Sequence, residues 1–346
     1  MDRDGLTPRQ CYFLLFLFLL GNLVTAAGAK GTQAGWLLFL LLGGLAVPVF
    51  WLFHKATGGY PPGAAFVRTL GTLPGAAVTL VYGVLSVLLA GDAMRLFADF
   101  IVINDLNDAG AWGNTALLTL SVCLMLLCTV RSMGKAGWAV QPAAVLLLLL
   151  SVAVTEKEMD LHRLLPLFAE PPRLLLRSGI SSFSTMITAA FFPIAALGTG
   201  RTRAGRRGVY FAGITACVLM AVLSLRDAAV LGYPAIGVFR FPMFAAASTM
   251  RHSQILVSAV FVLTQPFRAA LCLRYAQTCL EYFLPRFSRW YPFLLPLLAV
   301  VSGSLSWSSE QVRWRTVGES VLALLLLAGP MAAVLAQKRR ERNTRA

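Results

Sequence analysis

Apolar runs long enough to cross a bilayer recur along the whole of this chain, near residues 11–29, 34–54, 76–102, 112–130, 136–154, 178–198, 208–226, 253–280, 290–306 and 317–336. A helix needs about 17 to 25 apolar residues to span the hydrocarbon core, where its backbone N–H and C=O groups must be satisfied internally. The chain is therefore expected to be all-α, a polytopic membrane protein of about ten spans. A hydrophobic content of 58% and a mean hydropathy of +0.72 over 346 residues agree. A net charge of +15 and a pI near 10.2 would suggest nucleic acid in a soluble protein. Here charged residues make up only 13%, and the excess Lys and Arg lies in loops, where it orients the chain and meets anionic lipid. No nucleic-acid partner is expected. The first apolar run is long and no cleavage motif follows a basic n-region, so a cleaved signal peptide is not expected either.

Assigning loops alternately to the two sides gathers Arg3, Arg9, Lys55, Arg68, Arg131, Lys135, the run Arg201, Arg203, Arg206, Arg207, then Arg286, Arg289 and the tail Lys338, Arg339, Arg340, Arg342, Arg345 on one side. Asp105, Asp108 and the mixed-charge stretch from Thr155 to Arg177 fall on the other, as does a long connection carrying Tyr233-Pro234 and Phe241-Pro242. Short basic loops face the cytoplasm, which places both termini inside. Two sets of five spans invert the second half relative to the first, the inverted-repeat plan of many secondary transporters. The expected organisation is one integral membrane domain over residues 1–346, with repeats at about 11–154 and 178–336 and a basic cytoplasmic tail at 337–346.

Two spans at corresponding positions in the halves are interrupted by small and polar residues. The first reads Gly21-Asn22-Leu23-Val24-Thr25-Ala26-Ala27-Gly28, the sixth Ser178-Gly179-Ile180-Ser181-Ser182-Phe183-Ser184-Thr185. Paired broken helices point to a transporter-type binding site, and half-helix N-termini there favour an anionic group such as a carboxylate. The same small residues also suit tight helix packing.

Asp92, Arg95 and Asp99 in the third span are spaced i, i+3 and i+7, so they share a helical face. An internal ion pair and a coupling site both fit. The eighth span carries Thr264-Gln265-Pro266-Phe267-Arg268, with a proline that removes a backbone donor and an arginine near mid-span. A substrate carboxylate, Glu319 and a helix end are all open as partners of Arg268. Trp290, Tyr291, Trp307 and Trp314 fall where interfacial aromatic anchors occur. The segments 161–168 and 174–177 alternate apolar and charged residues, as a helix lying on the membrane face does. His54, His162 and His252 read as isolated loop or span-end residues, and the six cysteines as buried thiols without metal or disulfide spacing. No Walker loop, GxSxG, HExxH or paired catalytic carboxylates occur, so neither enzymatic activity, nor a cofactor, nor a metal is expected.

Several short motifs, in order, resemble the B subunits of spore-germination nutrient receptors: Leu6-Thr7-Pro8-Arg9-Gln10, Gly35-Trp36 with Gly43-Gly44, Phe97-Ala98-Asp99-Phe100-Ile101, Leu164-Leu165-Pro166 before Ser182-Phe183, and Tyr233-Pro234 with Phe241-Pro242. The resemblance implies the amino acid-polyamine-organocation transporter superfamily, with ten spans in a five-plus-five inverted-repeat fold and broken first and sixth helices. It implies a nutrient-sensing role in the bacterial cell membrane or spore inner membrane beside an A subunit and a lipoprotein C subunit. The ligand would be a small nutrient such as an amino acid, held by Gly21, Asn22, Thr25, Gly28, Ser181, Ser182, Phe183 and Thr185, with Thr264 and Arg268 completing the pocket. Family members commonly carry Pro, Gly and an acidic residue after the Ser-Phe pair, whereas this chain reads Ser184-Thr185-Met186-Ile187. An ion-coupled amino-acid permease using Asp92 or Asp99, and an assembly subunit with a vestigial pocket, are the alternatives.

Overall fold

The computed structural model describes residues 6–25, 32, 34–58, 60–103, 110–165, 171–184, 190–198, 202–232, 235–239, 241–250, 253–305 and 312–343. In chain order the helices are α1 (Pro8–Thr25), α2 (Gly35–Thr57), α3 (Pro62–Leu70), α4 (Thr72–Ile103), α5 (Gly110–Leu127), α6 (Val130–Val154), α7 (Pro172–Phe183), α8 (Phe191–Ala196), α9 (Arg203–Leu231), α10 (Ala235–Val238), α11 (Pro242–Ser248), α12 (Gln254–Phe283), α13 (Tyr291–Leu305) and α14 (Val312–Asn343). No strand occurs among the described residues. Six helices, α2, α4, α5, α6, α9 and α12, are long and apolar enough to cross a membrane by length and composition. Large apolar side chains such as Leu41, Val84, Leu120 and Leu297 point outward, which suits a lipid surround. In the most apolar stretch of α12, 67% of residues are buried, against 22% in α5 and α6, so α12 is central and α5 and α6 form the rim.

Packing follows the five-plus-five plan. The most extensive contacts join α2 with α9 and α4 with α12, the second and third spans of each half. α4 and α12 also run antiparallel, as inversion requires. Phe97 and Phe100 of α4 meet Phe261 of α12 at one end, with ring centroids 6.3 and 4.1 Å apart. At the other end Tyr82 of α4 and Tyr275 of α12 both pack on Phe191 of α8, at 5.3 and 5.8 Å.

Helix ends follow local chemistry. Thr7 and Gln10 form a reciprocal capping box at the start of α1, with bonds of 3.0 and 3.3 Å. Thr129 and Thr202 cap α6 and α9 by accepting from the Ser132 and Gly205 amides. The starts of α1, α6 and α9 and the end of α2 share one face of the bundle. Gly208 approaches the Pro8 carbonyl, His54 packs on Tyr210 at 5.6 Å, and Gly134 packs on Gln10. This is the face to which the loop charges assign Arg9, Lys55, Lys135, Arg206 and Arg207.

Some expectations shift. The third span begins at Thr72, after the unforeseen short helix α3. Residues 174–177 belong to α7, which starts the sixth span at Pro172, while Glu156–Glu158 and Leu161–Leu164 form 3-10 turns. His54 is buried, with Nδ1 2.7 Å from the Phe50 carbonyl, because the end of α2 tucks under α9. Cys11, Cys217, Cys272 and Cys279 are buried, but Cys123 on the rim helix α5 is half-buried and Cys128, just past its end, is exposed.

At the α4–α13 crossing Gly91 faces Gly303. A Cβ on Gly303 would lie 2.6 Å from the Gly91 carbonyl oxygen, so only glycine permits this approach. Gly91→Val is expected to destabilise the protein by about 1–3 kcal/mol through forced separation of the two helices. A melting temperature in detergent equal to that of the unsubstituted protein would refute the close approach.

Candidate functional site

α1 and α12 meet at the first interrupted segment. The Gly21 carbonyl accepts a 2.9 Å hydrogen bond from Gln265 Nε2, and a Cβ on Gly21 would lie 3.2 Å from the Thr264 carbonyl oxygen. Gly21 is thus a close-packing residue whose carbonyl is served from the neighbouring helix. The helix continues through Gly21, Asn22 and Thr25, with Asn22 buried. Gly28 and the rest of residues 26–31 lie outside the described residues, as does the Thr25 side chain.

The sixth span is divided. α7 ends at Phe183, Ser184 sits in a wide turn, and helix resumes in α8 at Phe191. Thr185 lies outside the described residues. Ser178 and Ser182, one turn apart, are buried, and their hydroxyls have no partner among the described residues. Ser181 and Phe183 are half-buried, with Phe183 packed on the core. α8 contacts α1, α2 and α12, so the second half of the broken span reaches the helices that flank Gly21 and Gln265.

The charged residues separate into two groups. Arg268 of α12 pairs with Asp92 of α4, Nη2 to Oδ2 3.4 Å, a carboxylate outside the set of partners that the sequence left open for it. Arg95 instead reaches Asp99 at 3.8 Å and donates to the Gly303 carbonyl of α13 at 3.1 Å. Within the third span Arg95 and Asp99 thus pair with each other, while Asp92 reaches across to α12. Thr264 is fully buried and donates back to the Val260 carbonyl at 2.9 Å. Pro266 leaves the Val262 carbonyl without its helical donor.

Gln265 is a polar residue that the sequence pattern does not single out. Its Nε2 is used, while its Oε1 is buried with no partner among the described residues. A lone glutamine in an apolar helix carries no spacing signal, and only the crossing with α1 gives it a role. Asp92, Arg268 and Gln265 lie between two clusters of rings. Phe53, Phe66, Tyr82, Phe191, Phe192 and Tyr275 close the basic side, and Phe97, Phe100, Phe241, Phe244 and Phe261 close the opposite side. Along α4, Asp92 is ten residues from Tyr82 and eight from Phe100, or about 15 and 12 Å at the helical rise. The polar layer thus lies between two aromatic clusters, while the Asp92 side chain within it stays 34% exposed.

A second buried polar cluster, absent from the sequence reading, lies near the end of α9. Arg226 Nε and Nη2 donate to Asp227 Oδ1 at 2.9 and 2.5 Å, Nη1 to Ser151 Oγ of α6 at 2.9 Å, and Nη2 to the Met243 carbonyl of α11 at 3.0 Å. Asp227, Thr32 and Ser224 border a cavity of about 10 Å³, room for one water. No group of three or more His, Cys, Asp or Glu suited to a metal occurs among the described residues.

No protein-family model matches the chain, and no curated protein matches it in sequence. Solved structures do match in fold. MhsT in complex with L-phenylalanine superposes with a TM-score of 0.66 at 15% identity, over 93% of this chain and 87% of that one. The Eremococcus coleocola manganese transporter, in complex with an aromatic bis-isothiourea substituted compound, gives 0.60 at 13% identity over 96% and 76%. A point mutant of that manganese transporter gives 0.60 at 15% over the same shares. This chain is an integral membrane protein with the inverted-repeat transporter fold.

Proposed function

We propose that this chain is the ligand-binding membrane subunit of a nutrient receptor, and that an amino acid-like zwitterion binds in the polar layer where α1, the broken sixth span, α4 and α12 converge. The carrying observation is the buried Oε1 of Gln265 beside Gly21, without a partner among the described residues, in a layer that also holds the Asp92–Arg268 pair and is flanked by rings on either side. A buried acceptor without a donor is a standing penalty of about 1–3 kcal/mol, which an ammonium or hydroxyl donor removes. The hydroxyls of Ser178 and Ser182 add neutral polar groups at the other broken segment. After Ser182-Phe183 the chain reads Ser184-Thr185-Met186-Ile187, with no acidic side chain, which favours a neutral, hydroxyl-rich pocket. A protein of the same fold crystallised with L-phenylalanine supports an amino acid-like ligand.

The resemblance to germination-receptor B subunits supplies the assembly: an A subunit and a lipoprotein C subunit in the spore inner membrane, with both termini cytoplasmic. Ligand binding shifts the balance of conformers, and the partners read the shift. The test is a panel of amino acids added to the purified protein. A ligand at a hundred times its Kd is expected to stabilise the fold by about 2.7 kcal/mol. Gln265→Leu is expected to weaken that ligand by about tenfold or more. If no amino acid raises the melting temperature, the pocket is vestigial and the chain is an assembly subunit.

An ion-coupled amino-acid permease is the second reading, favoured by Asp92, whose side chain is 34% exposed and so reachable by a proton or sodium ion. Gradient-driven accumulation of an amino acid by proteoliposomes lacking partner subunits would replace the receptor reading with this one.

A further inference from the structure

We propose that the cleft between the starts of α1 and α6 binds the phosphate headgroup of an anionic phospholipid. The cleft has a volume of about 200 Å³ and is lined by Arg9, Lys135 and Trp138, with no carboxylate among the described residues of its lining. Neither cation has an ion-pair partner among the described residues. The two helix ends are not the attraction, because Thr7 and Gln10 already cap α1 and Thr129 already caps α6. The charge comes from the side chains alone.

The cleft is built by close packing. A Cβ on Gly134 would lie 2.9 Å from Gln10 Cβ, so glycine brings α6 against α1 and sets Lys135 near Arg9. Trp138 follows Lys135 by three residues, on the same helical face, and is 65% exposed. An exposed tryptophan at the start of a spanning helix sits at headgroup depth, where phosphodiesters are the abundant anions. A phosphate bridging Arg9 and Lys135 would leave its acyl chains along the lipid-facing side beside Trp138. This occupant favours lipid over free phosphate, which has no use for the tryptophan.

The test uses the full-length protein in phosphatidylcholine nanodiscs, with phosphatidylglycerol titrated and retention measured by native mass spectrometry. One Lys or Arg near the surface contributes about fivefold to anionic-lipid binding, so the R9Q/K135Q variant is expected to lose roughly thirtyfold. R286Q/R289Q, which removes the same charge from an exposed loop outside the cleft, is expected to change affinity by less than about threefold. Melting in pure phosphatidylcholine checks that each variant folds, and K135Q alone, expected to lose about fivefold, serves if the double variant does not. Equal losses in R9Q/K135Q and R286Q/R289Q would replace the site with a diffuse field. Undiminished retention by R9Q/K135Q, or full displacement of the lipid by millimolar inorganic phosphate, would also overturn the proposal.

Discussion

Arg226→Ala is expected to lower stability by about 3–5 kcal/mol, the largest single-residue effect in the protein. The guanidinium is almost wholly buried and serves Asp227, Ser151 and the Met243 carbonyl, so it ties α6, α9 and α11 together. Truncation strands a carboxylate whose side chain is 7% exposed and leaves a serine hydroxyl and a carbonyl without their donor. Burial of the pair itself contributes little, because desolvation offsets most of the attraction. Replacing both residues by apolar ones of similar volume, Arg226→Met with Asp227→Leu, is therefore expected to recover most of the loss. Thermal denaturation in detergent across the three variants checks this. An Arg226→Ala protein within about 1 kcal/mol of the unsubstituted one would show that water already reaches the pair.

The Asp92–Arg268 pair gives the second large effect, and an asymmetric one. The Arg268 side chain is 4% exposed and that of Asp92 is 34% exposed. Asp92→Asn leaves the deeply buried cation without its carboxylate and is expected to cost about 2–3 kcal/mol, somewhat below a fully enclosed pair. Arg268→Gln leaves an anion that the remaining space can hydrate, and is expected to cost about half as much. The same two variants separate the functional readings. A receptor with the pair as a structural strut responds to its ligand once refolded, at either charge state. A permease that couples through Asp92 loses gradient-driven uptake in Asp92→Asn while still binding the substrate.

The spans were legible because a run of apolar residues has one meaning in lipid, and the charge pattern correctly grouped the helix ends that share a face. The sixth-span break was legible for a similar reason: serines and a glycine within an apolar run have few other uses. The pairing of Asp92 with Arg268 was not, since the two lie 176 residues apart and the nearer charges Arg95 and Asp99 fit the helical spacing equally well. Arg226 and Asp227 stand at the end of an apolar run, where nothing in the sequence marks them; only the fold of α11 over them makes them interior. His54 sits at a span end, and a span end is solvated only if no other helix covers it, as α9 does here. Gln265 lies within the stretch Thr264–Arg268, but its importance depends on which carbonyl α1 presents to it.

The two ring clusters have an electrical consequence. They put low-dielectric side chains on either side of the polar layer, so part of a transmembrane voltage falls across it. A lone charge there would feel the work of about 2.3 kcal/mol per 100 mV. Asp92 and Arg268, 3.4 Å apart and opposite in sign, present the field with almost no net charge. The pair therefore contributes little to any voltage dependence while it holds, and a step that separated Arg268 from Asp92 would expose both charges to the field.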